Sequence, residues 1–139
     1  MSTPKVIKGS CLCAQIQYEA TGDVLNATMC HCNDCRKVSG SAFVTNSIYL
    51  KEQLRILSGE HLLKTFDKET DAGNVLSRSF CSNCGSPLFI TSKNHPGAQV
   101  VSVGSMDFAS GKNEWQPRDE YYSHRRAEWF PELTCTRKV

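Results

Sequence analysis

The chain has 139 residues, a formal net charge of +2, 40% hydrophobic residues and 22% charged residues. These values predict one globular domain, residues 1–139 with a core of about 8–131, and exclude a wholly disordered chain. A charge this small without a basic stripe argues against nucleic acid as a partner. No apolar stretch reaches signal-peptide length or the roughly 20 residues that span a bilayer, so we expect a cytoplasmic protein without a membrane partner. The oligomeric state stays open.

Short strand-like runs follow one another along the chain. Residues 15–20 alternate polar and apolar side chains with a period of two, as a half-buried strand does. The other runs that predict strands are 41–50, 54–57, 62–66, 75–80, 88–91 and 99–103. Turn-forming residues predict turns at 71–74 and 94–97, and 32–39 has room for a short helical turn. Regular turns between short strands indicate a mainly β domain, either a sandwich or a barrel-like fold.

Seven of the eight cysteines lie in three tight clusters. The clusters are Cys11 with Cys13, Cys30 with Cys32 and Cys35, and Cys81 with Cys84, whereas Cys135 stands alone. In a reducing compartment disulfides are rare, and clustered cysteines usually bind metal. Two cysteines separated by one residue on a strand point the same way, which suits one shared ion better than a bond between them. The clusters therefore predict metal ligation rather than a disulfide framework.

The number of clustered cysteines predicts two sites of different kinds. All-thiolate sites select zinc or iron–sulfur clusters, and the spacing here is not the one typical of iron–sulfur ligation, so we expect Zn²⁺. A structural zinc takes four protein ligands, whereas a catalytic zinc takes three and keeps one position open. Seven thiols divide as four plus three, which predicts two zinc ions per chain. In this division Cys11, Cys13, Cys81 and Cys84 close one site, and Cys30, Cys32 and Cys35 form an open one, although other pairings also satisfy the spacing.

Two residues near or beyond the clusters have simpler interpretations. His31 lies between Cys30 and Cys32, so on an extended segment its side chain faces away from theirs. We expect it to form a hydrogen bond beside the site or to pack, rather than to bind zinc. Cys135 has no partner nearby in the sequence and is interpreted as a free thiol.

The clusters belong to longer motifs, such as Gly-Ser-Cys-Leu-Cys at 9–13 and Phe-Cys-Ser-Asn-Cys-Gly-Ser-Pro-Leu at 80–88. The other matching segments are 30–36, 39–43, 104–107, 115–117 and 126–129. On these motifs the chain resembles the family of glutathione-dependent formaldehyde-activating enzymes, which includes centromere protein V. It departs from the family pattern at Ala14, where glycine is common, and after Pro117, where a histidine is common and this chain has none before Ser123.

The resemblance implies an Mss4-like β-tent fold with two zinc sites. It assigns the structural zinc to Cys11, Cys13, Cys81 and Cys84, and the zinc linked to catalysis to Cys30, Cys32 and Cys35, in agreement with the division reached by counting. The activity it implies is formation of S-hydroxymethylglutathione from glutathione and formaldehyde, a carbon–sulfur lyase reaction run in reverse. The expected partner is therefore glutathione or another small thiol.

The charge of the open site favours thiol chemistry. Zn²⁺ with three thiolates carries a net charge of about −1, so it activates water less well than zinc with neutral ligands, but it can still bind and deprotonate a fourth thiol. We expect the bound sulfur to attack an aldehyde carbonyl carbon. Nearby cations would bind the carboxylates of the thiol, and an acid would transfer a proton. The candidate cations are Arg36, Lys37, Arg78, Arg125 and Arg126, and the candidate acids are Asp34 and Glu128.

A binding module without catalysis is the competing interpretation, because one fold can serve several functions. In that case both zinc ions are structural, and the middle site takes a fourth protein ligand such as His31. A closed four-ligand site would exclude an added thiol, whereas an open site would admit one.

Overall fold

Two β-sheets contain most of the regular structure in the computed structural model, which describes residues 3–139. In chain order the elements are β1 (Val6–Ser10), β2 (Gln17–Thr21), β3 (Asn26–Cys30), α1 (Asn33–Ser39), β4 (Val44–Leu50), β5 (Leu54–Ser58), β6 (Leu63–Glu69), β7 (Val75–Cys81), β8 (Pro87–Ser92), β9 (His95–Ser102), β10 (Met106–Asp107), β11 (Asp119–Tyr121) and β12 (Arg137–Lys138). Four single turns of 3-10 helix lie at 51–53, 60–62, 103–105 and 123–125.

The smaller sheet has the strand order β10-β1-β2-β5, and the larger one β12-β11-β3-β4-β9-β8-β7-β6. Pairing is antiparallel except around β11, which runs parallel to both β3 and β12. The β3–β11 register places Tyr121 opposite Cys30 and Glu120 opposite Met29. A segment late in the chain is thereby held against the strand that carries the middle cysteine cluster.

The apolar core lies where the two sheets face each other. Tyr18 of β2 meets Phe89 of β8 edge to face, with ring centroids 5.1 Å apart, an arrangement that aromatic pairs favour. Fully buried side chains from β4, β8 and β9 surround this pair. Cys11 and Cys81 belong to the same buried cluster, so one group of thiols is continuous with the core.

The predicted mainly β, Mss4-like fold class is confirmed, and each predicted strand corresponds to an observed one within a few residues. The pattern missed β1, β3 and the three short late strands. The turn predicted at 94–97 was wrong in part, because the turn occupies only Lys93 and Asn94, and β9 begins at His95. Pro96 and Gly97 are tolerated in β9 since they lie beyond Ala98, where pairing with β4 ends. None of the helices formed by residues 3–139 is long and apolar enough to cross a membrane.

Candidate metal centres

Four cysteine sulfurs meet at the junction of the two sheets, which we call the four-thiol cluster: Cys11, Cys13, Cys81 and Cys84. All four Sγ atoms lie within 4.8 Å of one another. The Sγ atom of Cys13 is 3.5 Å from that of Cys11 and 3.9 Å from that of Cys81. Four sulfurs placed tetrahedrally about 2.3 Å from one zinc ion lie about 3.8 Å apart. The cluster therefore has the donors and the dimensions of a closed zinc site.

Two matching turns position these sulfurs. In each, the residue after the second cysteine adopts a left-handed conformation, namely Ala14 with φ of 62° and Gly85 with φ of 80°. The N–H of Ala14 donates to the Cys11 carbonyl at 3.0 Å, and that of Gly85 donates to the Cys81 carbonyl at 2.7 Å. Glycine adopts this conformation without a steric penalty and alanine does not. The chain thus carries local strain in the first turn only.

Burial and neighbouring hydrogen-bond donors shift the pKa values of Cys11, Cys13 and Cys84 in different directions. Burial raises the pKa of Cys11 to about 11. A hydrogen bond with the Ser86 hydroxyl, then one from the Cys13 N–H, lowers the pKa of Cys84 to about 5. A hydrogen bond with Asn83 lowers the pKa of Cys13. Donors thus already stabilise negative charge on two of the sulfurs, as metal thiolates require.

The second group, which we call the thiol triplet, consists of Cys30, Cys32 and Cys35. Cys30 ends β3, Cys32 is the N-cap of α1, and Cys35 lies in the first helical turn. The backbone N–H of Cys35 donates to the Cys32 sulfur at 3.3 Å, and these two Sγ atoms lie 3.0 Å apart. All three sulfurs lie within 4.8 Å of one another. The start of a short helix therefore gathers the three ligands.

Negative charge in the triplet concentrates on one sulfur. Hydrogen bonds from Cys30 and then Cys35 lower the pKa of Cys32 to about 2. The interaction with Cys32 in turn raises the pKa of Cys30 to about 11, and the pKa of Cys35 is raised by Cys30 first and then by Cys32. The triplet therefore offers one thiolate, Cys32, beside two thiols whose protons a bound soft cation would displace.

Within residues 3–139, no fourth histidine, cysteine or acidic ligand atom joins the triplet. His31 is fully buried and directs its Nε2 to the Glu120 carboxylate at 2.6 Å. His31 was predicted to lie beside the site and not in it, and the structure places it there. His31 is therefore not a fourth ligand that closes the thiol triplet.

Glu120 is the buried acceptor that fixes His31. Its other carboxylate oxygen accepts from the Thr136 hydroxyl at 2.7 Å and lies 3.0 Å from the Lys138 ammonium group. Burial on its own would raise the pKa of Glu120, but the hydrogen bonds from Thr136, Lys138 and His31 hold it below its ordinary value. The carboxylate therefore stays ionised behind the triplet.

A cavity of about 420 Å³ opens in front of the triplet. The three thiols form part of its wall, and Tyr121 and Tyr122 line another part. The tip of the β6–β7 hairpin, 70–74, lines it too. Arg125 ties this tip to the wall, because it lies 2.9 Å from Asp71 and 4.7 Å from the centre of the Tyr122 ring. A cavity of this size suits a small molecule.

The structure separates the predicted cations by their access to this cavity. Arg78 is buried and lines it. Arg125 flanks it but is already paired with Asp71. The side chain of Arg36 is occupied by a hydrogen bond to the side-chain oxygen of Asn33 at 2.8 Å. Lys37 lines only a neighbouring cavity, and Arg126 lines neither of the two.

The predicted acids differ in the same way. Asp34 lines the cavity, with its carboxylate 2.6 Å from the Lys68 ammonium group. Glu128 is exposed and does not line the cavity. Cys135 is also exposed and lies in the wall of a separate cavity, as expected for a thiol outside both clusters.

Sequence reasoning missed the 70–74 loop, the two tyrosines and Glu120 as parts of this site. The turn signal at 71–74 was visible in the sequence, but nothing local connects it to cysteines 40 residues earlier. The same holds for Glu120, which reaches His31 only through the parallel β3–β11 pairing. Long-range strand register therefore supplied the missing parts.

The fold and its thiol groups define a small β domain with two sites that can each hold a metal ion. The donor set of both sites is thiolate only, which suits zinc. The sequence model of the glutathione-dependent formaldehyde-activating enzyme family matches residues 6–125. The chain belongs to this family.

A solved structure supports the fold. The crystal structure of a Rhodobacter sphaeroides protein, a Northeast Structural Genomics target, is similar with a TM-score of 0.57 and 24% sequence identity, over 70% of this chain and 85% of that chain. At this identity the similarity concerns the fold alone. No curated protein matches the chain significantly.

Proposed function

We propose that the protein is a zinc-dependent enzyme of the carbon–sulfur lyase type that handles the glutathione adduct of an aldehyde, with formaldehyde as the family's named substrate. Cys11, Cys13, Cys81 and Cys84 would hold a structural zinc, and Cys30, Cys32 and Cys35 a zinc that takes part in catalysis. One observation carries the proposal: the triplet forms the wall of a small-molecule cavity, and no fourth ligand from residues 3–139 closes it.

A zinc ion held by three thiolates supplies one coordination position and lowers the pKa of a thiol that occupies it. The glutathione sulfur then forms a bond to the aldehyde carbonyl carbon. The carbonyl electron pair moves to oxygen, which takes up a proton. In the reverse direction the carbon–sulfur bond breaks, its electrons return to sulfur, and the hydroxyl proton leaves.

The residues of this chain contribute position and shielding. The α1 N-terminus and the end of β3 hold the three sulfurs together. Tyr121, Tyr122 and residues of the 70–74 loop form the cavity wall beside the triplet. Asp34 is the one predicted acid in the cavity wall, and it is the candidate for moving the hydroxyl proton.

Metal content and thiol binding of a Cys30→Ala variant test the proposal. Wild-type protein purified under reducing conditions should contain two zinc ions per chain and bind glutathione. Cys30→Ala should keep one zinc and lose glutathione binding, since two thiolates hold zinc weakly. Cys135→Ser is the matched control, because it removes an exposed thiol outside both clusters. Retained glutathione binding in a Cys30→Ala protein that lacks the second zinc would refute the proposal.

A further inference from the structure

The cavity beside the thiol triplet contains a buried cation. Arg78 lies on β7, is 7% exposed, and lines both this cavity and the adjoining one. Its Nε atom is buried without a hydrogen-bond partner. Among residues 3–139, its guanidinium group forms no ion pair and no hydrogen bond, whether to a carboxylate or to a cysteine sulfur of the triplet. An unpaired buried charge is costly, and arginine is seldom buried without a partner.

The carboxylates that share the cavity wall do not neutralise Arg78. Asp34 is paired with Lys68 at 2.6 Å, and Asp71 is paired with Arg125 at 2.9 Å. Both anions are therefore already matched by other cations. Apart from the thiol triplet, the guanidinium group is the remaining unmatched charge among the side chains of the wall. Its planar set of N–H donors suits the two oxygens of a carboxylate.

We propose that Arg78 is the anchor for a carboxylate of the thiol substrate, so that the site selects small thiols that also carry a carboxylate. The substrate would then be held at two points, by its sulfur at the triplet and by its carboxylate at Arg78. This inference rests on the proposed function, because it assumes that the thiol enters this cavity.

A different role for Arg78 would be to offset the negative charge of the metal-bound triplet. The two roles predict different losses when the cation is removed. An anchor matters only for ligands with a carboxylate, whereas an offset to the cluster charge matters for every thiol and for metal retention. Among the described residues, no hydrogen bond joins Arg78 to a sulfur of the triplet, and its buried Nε has no partner, which favours the anchor.

Three probes separate these roles in titrations of the zinc-loaded protein. Glutathione has the thiol and two carboxylates, its diethyl ester has only the thiol, and S-methylglutathione has only the carboxylates. In Arg78→Met, affinity for glutathione and for S-methylglutathione should fall by at least about tenfold, as expected for the loss of a partly buried charge pair. Affinity for the diethyl ester should change by less than about twofold, because the ester has no carboxylate to lose.

Other results overturn the assignment. If Arg78→Met weakens the ester as much as glutathione, or if it loses the second zinc, Arg78 offsets the cluster charge. If wild-type protein binds the ester and glutathione with equal affinity, thiol binding at the triplet is supported and carboxylate binding at Arg78 is refuted. If S-methylglutathione binds as tightly as glutathione, carboxylate binding at Arg78 is supported and the proposed thiol-handling function is refuted. If no probe binds the wild-type protein, both proposals fail.

Two further variants test whether any loss of positive charge near the site has the same effect, and whether the guanidinium geometry matters. Lys37→Met removes the same charge from the adjoining cavity without touching this one, and it should bind all three probes as the wild type does. Arg78→Lys keeps the charge but loses the planar fork, so glutathione affinity should fall less than in Arg78→Met. If Arg78→Met does not fold, a glutathione affinity in Arg78→Lys equal to that of the wild type would still refute an anchor of this geometry.

Discussion

The four-thiol cluster and the thiol triplet use the same side chain in two different settings. Cys11 and Cys81 are buried in the core between the sheets, and their cluster joins the start of the chain to β7. The triplet comes from one short segment, with Cys30 and Cys35 only five residues apart in the sequence, and its sulfurs face a cavity. Under the proposed ligation, a metal ion in the four-thiol cluster would tie distant parts of the fold together, whereas one in the local triplet would keep a coordination position for a ligand.

Removing one ligand from each group gives the largest expected contrast. Cys81→Ser should lower the free energy of unfolding by more than about 3 kcal/mol, because a structural zinc contributes directly to folding and Cys81 is fully buried. Cys32→Ser should lower the free energy of unfolding by only about 1 kcal/mol. The three cysteines of the triplet are close in sequence, so a metal ion that joins them closes only short loops and removes little entropy from the unfolded chain. Urea denaturation in reducing buffer measures both values.

Cys135→Ser serves again as the reference for both variants, because this thiol is exposed and outside the clusters. Equal losses of stability in Cys81→Ser and Cys32→Ser would contradict the division into a structural and a functional site. Zinc analysis of each variant should in addition show the loss of one ion and not of two.

Much of this comparison was predictable from the sequence. Ligand number favoured the partition of Cys11, Cys13, Cys81 and Cys84 against Cys30, Cys32 and Cys35, although other pairings also satisfied the spacing, and the family resemblance implied the same sets. The structure brings these sets together. The helical turn at 32–39 was equally local and was found. These features depend on residues close in sequence, or on a chemistry that only cysteine supplies.

The residues around the triplet could not be predicted from the sequence, and the reason is physical. Arg78 was one of five equivalent cations until the β6–β7 hairpin placed it in the cavity wall. Glu120 had no apparent partner until β11 paired with β3, about 90 residues earlier in the chain. Short strands such as β11 have too few residues to show an alternation of polar and apolar side chains, so no local sequence pattern predicts their register.

The Glu120–His31 pair should affect zinc binding at the triplet and not at the four-thiol cluster. In Glu120→Gln the buried His31 ring and the Lys138 ammonium group lose a charged acceptor, and the expected loss of unfolding free energy is about 1–3 kcal/mol. Zinc affinity should fall at the triplet alone, because His31 lies between two of its ligands. Glu52→Gln, at an exposed position, is the control.

The same pair sets a pH dependence. The folded-state pKa of Glu120 lies below its ordinary value of 4.5, so between these two values the unfolded chain binds more protons than the folded chain. The stability from Glu120 is therefore fully present above pH 4.5 and is lost as the pH falls through the folded-state pKa. Unfolding curves measured from pH 6 downward, roughly across this window, should show a shallower decline for Glu120→Gln. An identical decline in both proteins would exclude this carboxylate as the cause.

The smallest effect concerns the strained turn of the four-thiol cluster. Ala14 has a φ of 62°, whereas Gly85 occupies the equivalent place in the second turn. Ala14→Gly removes the steric cost of a left-handed alanine, which outweighs the greater freedom of glycine in the unfolded chain, and should raise the free energy of unfolding by about 0.5–1 kcal/mol. Ala109→Gly, at an exposed alanine outside the left-handed region, should be neutral or slightly destabilising. If both variants lose stability, the turn is not strained, and the departure from the family's glycine has no energetic cost in this chain.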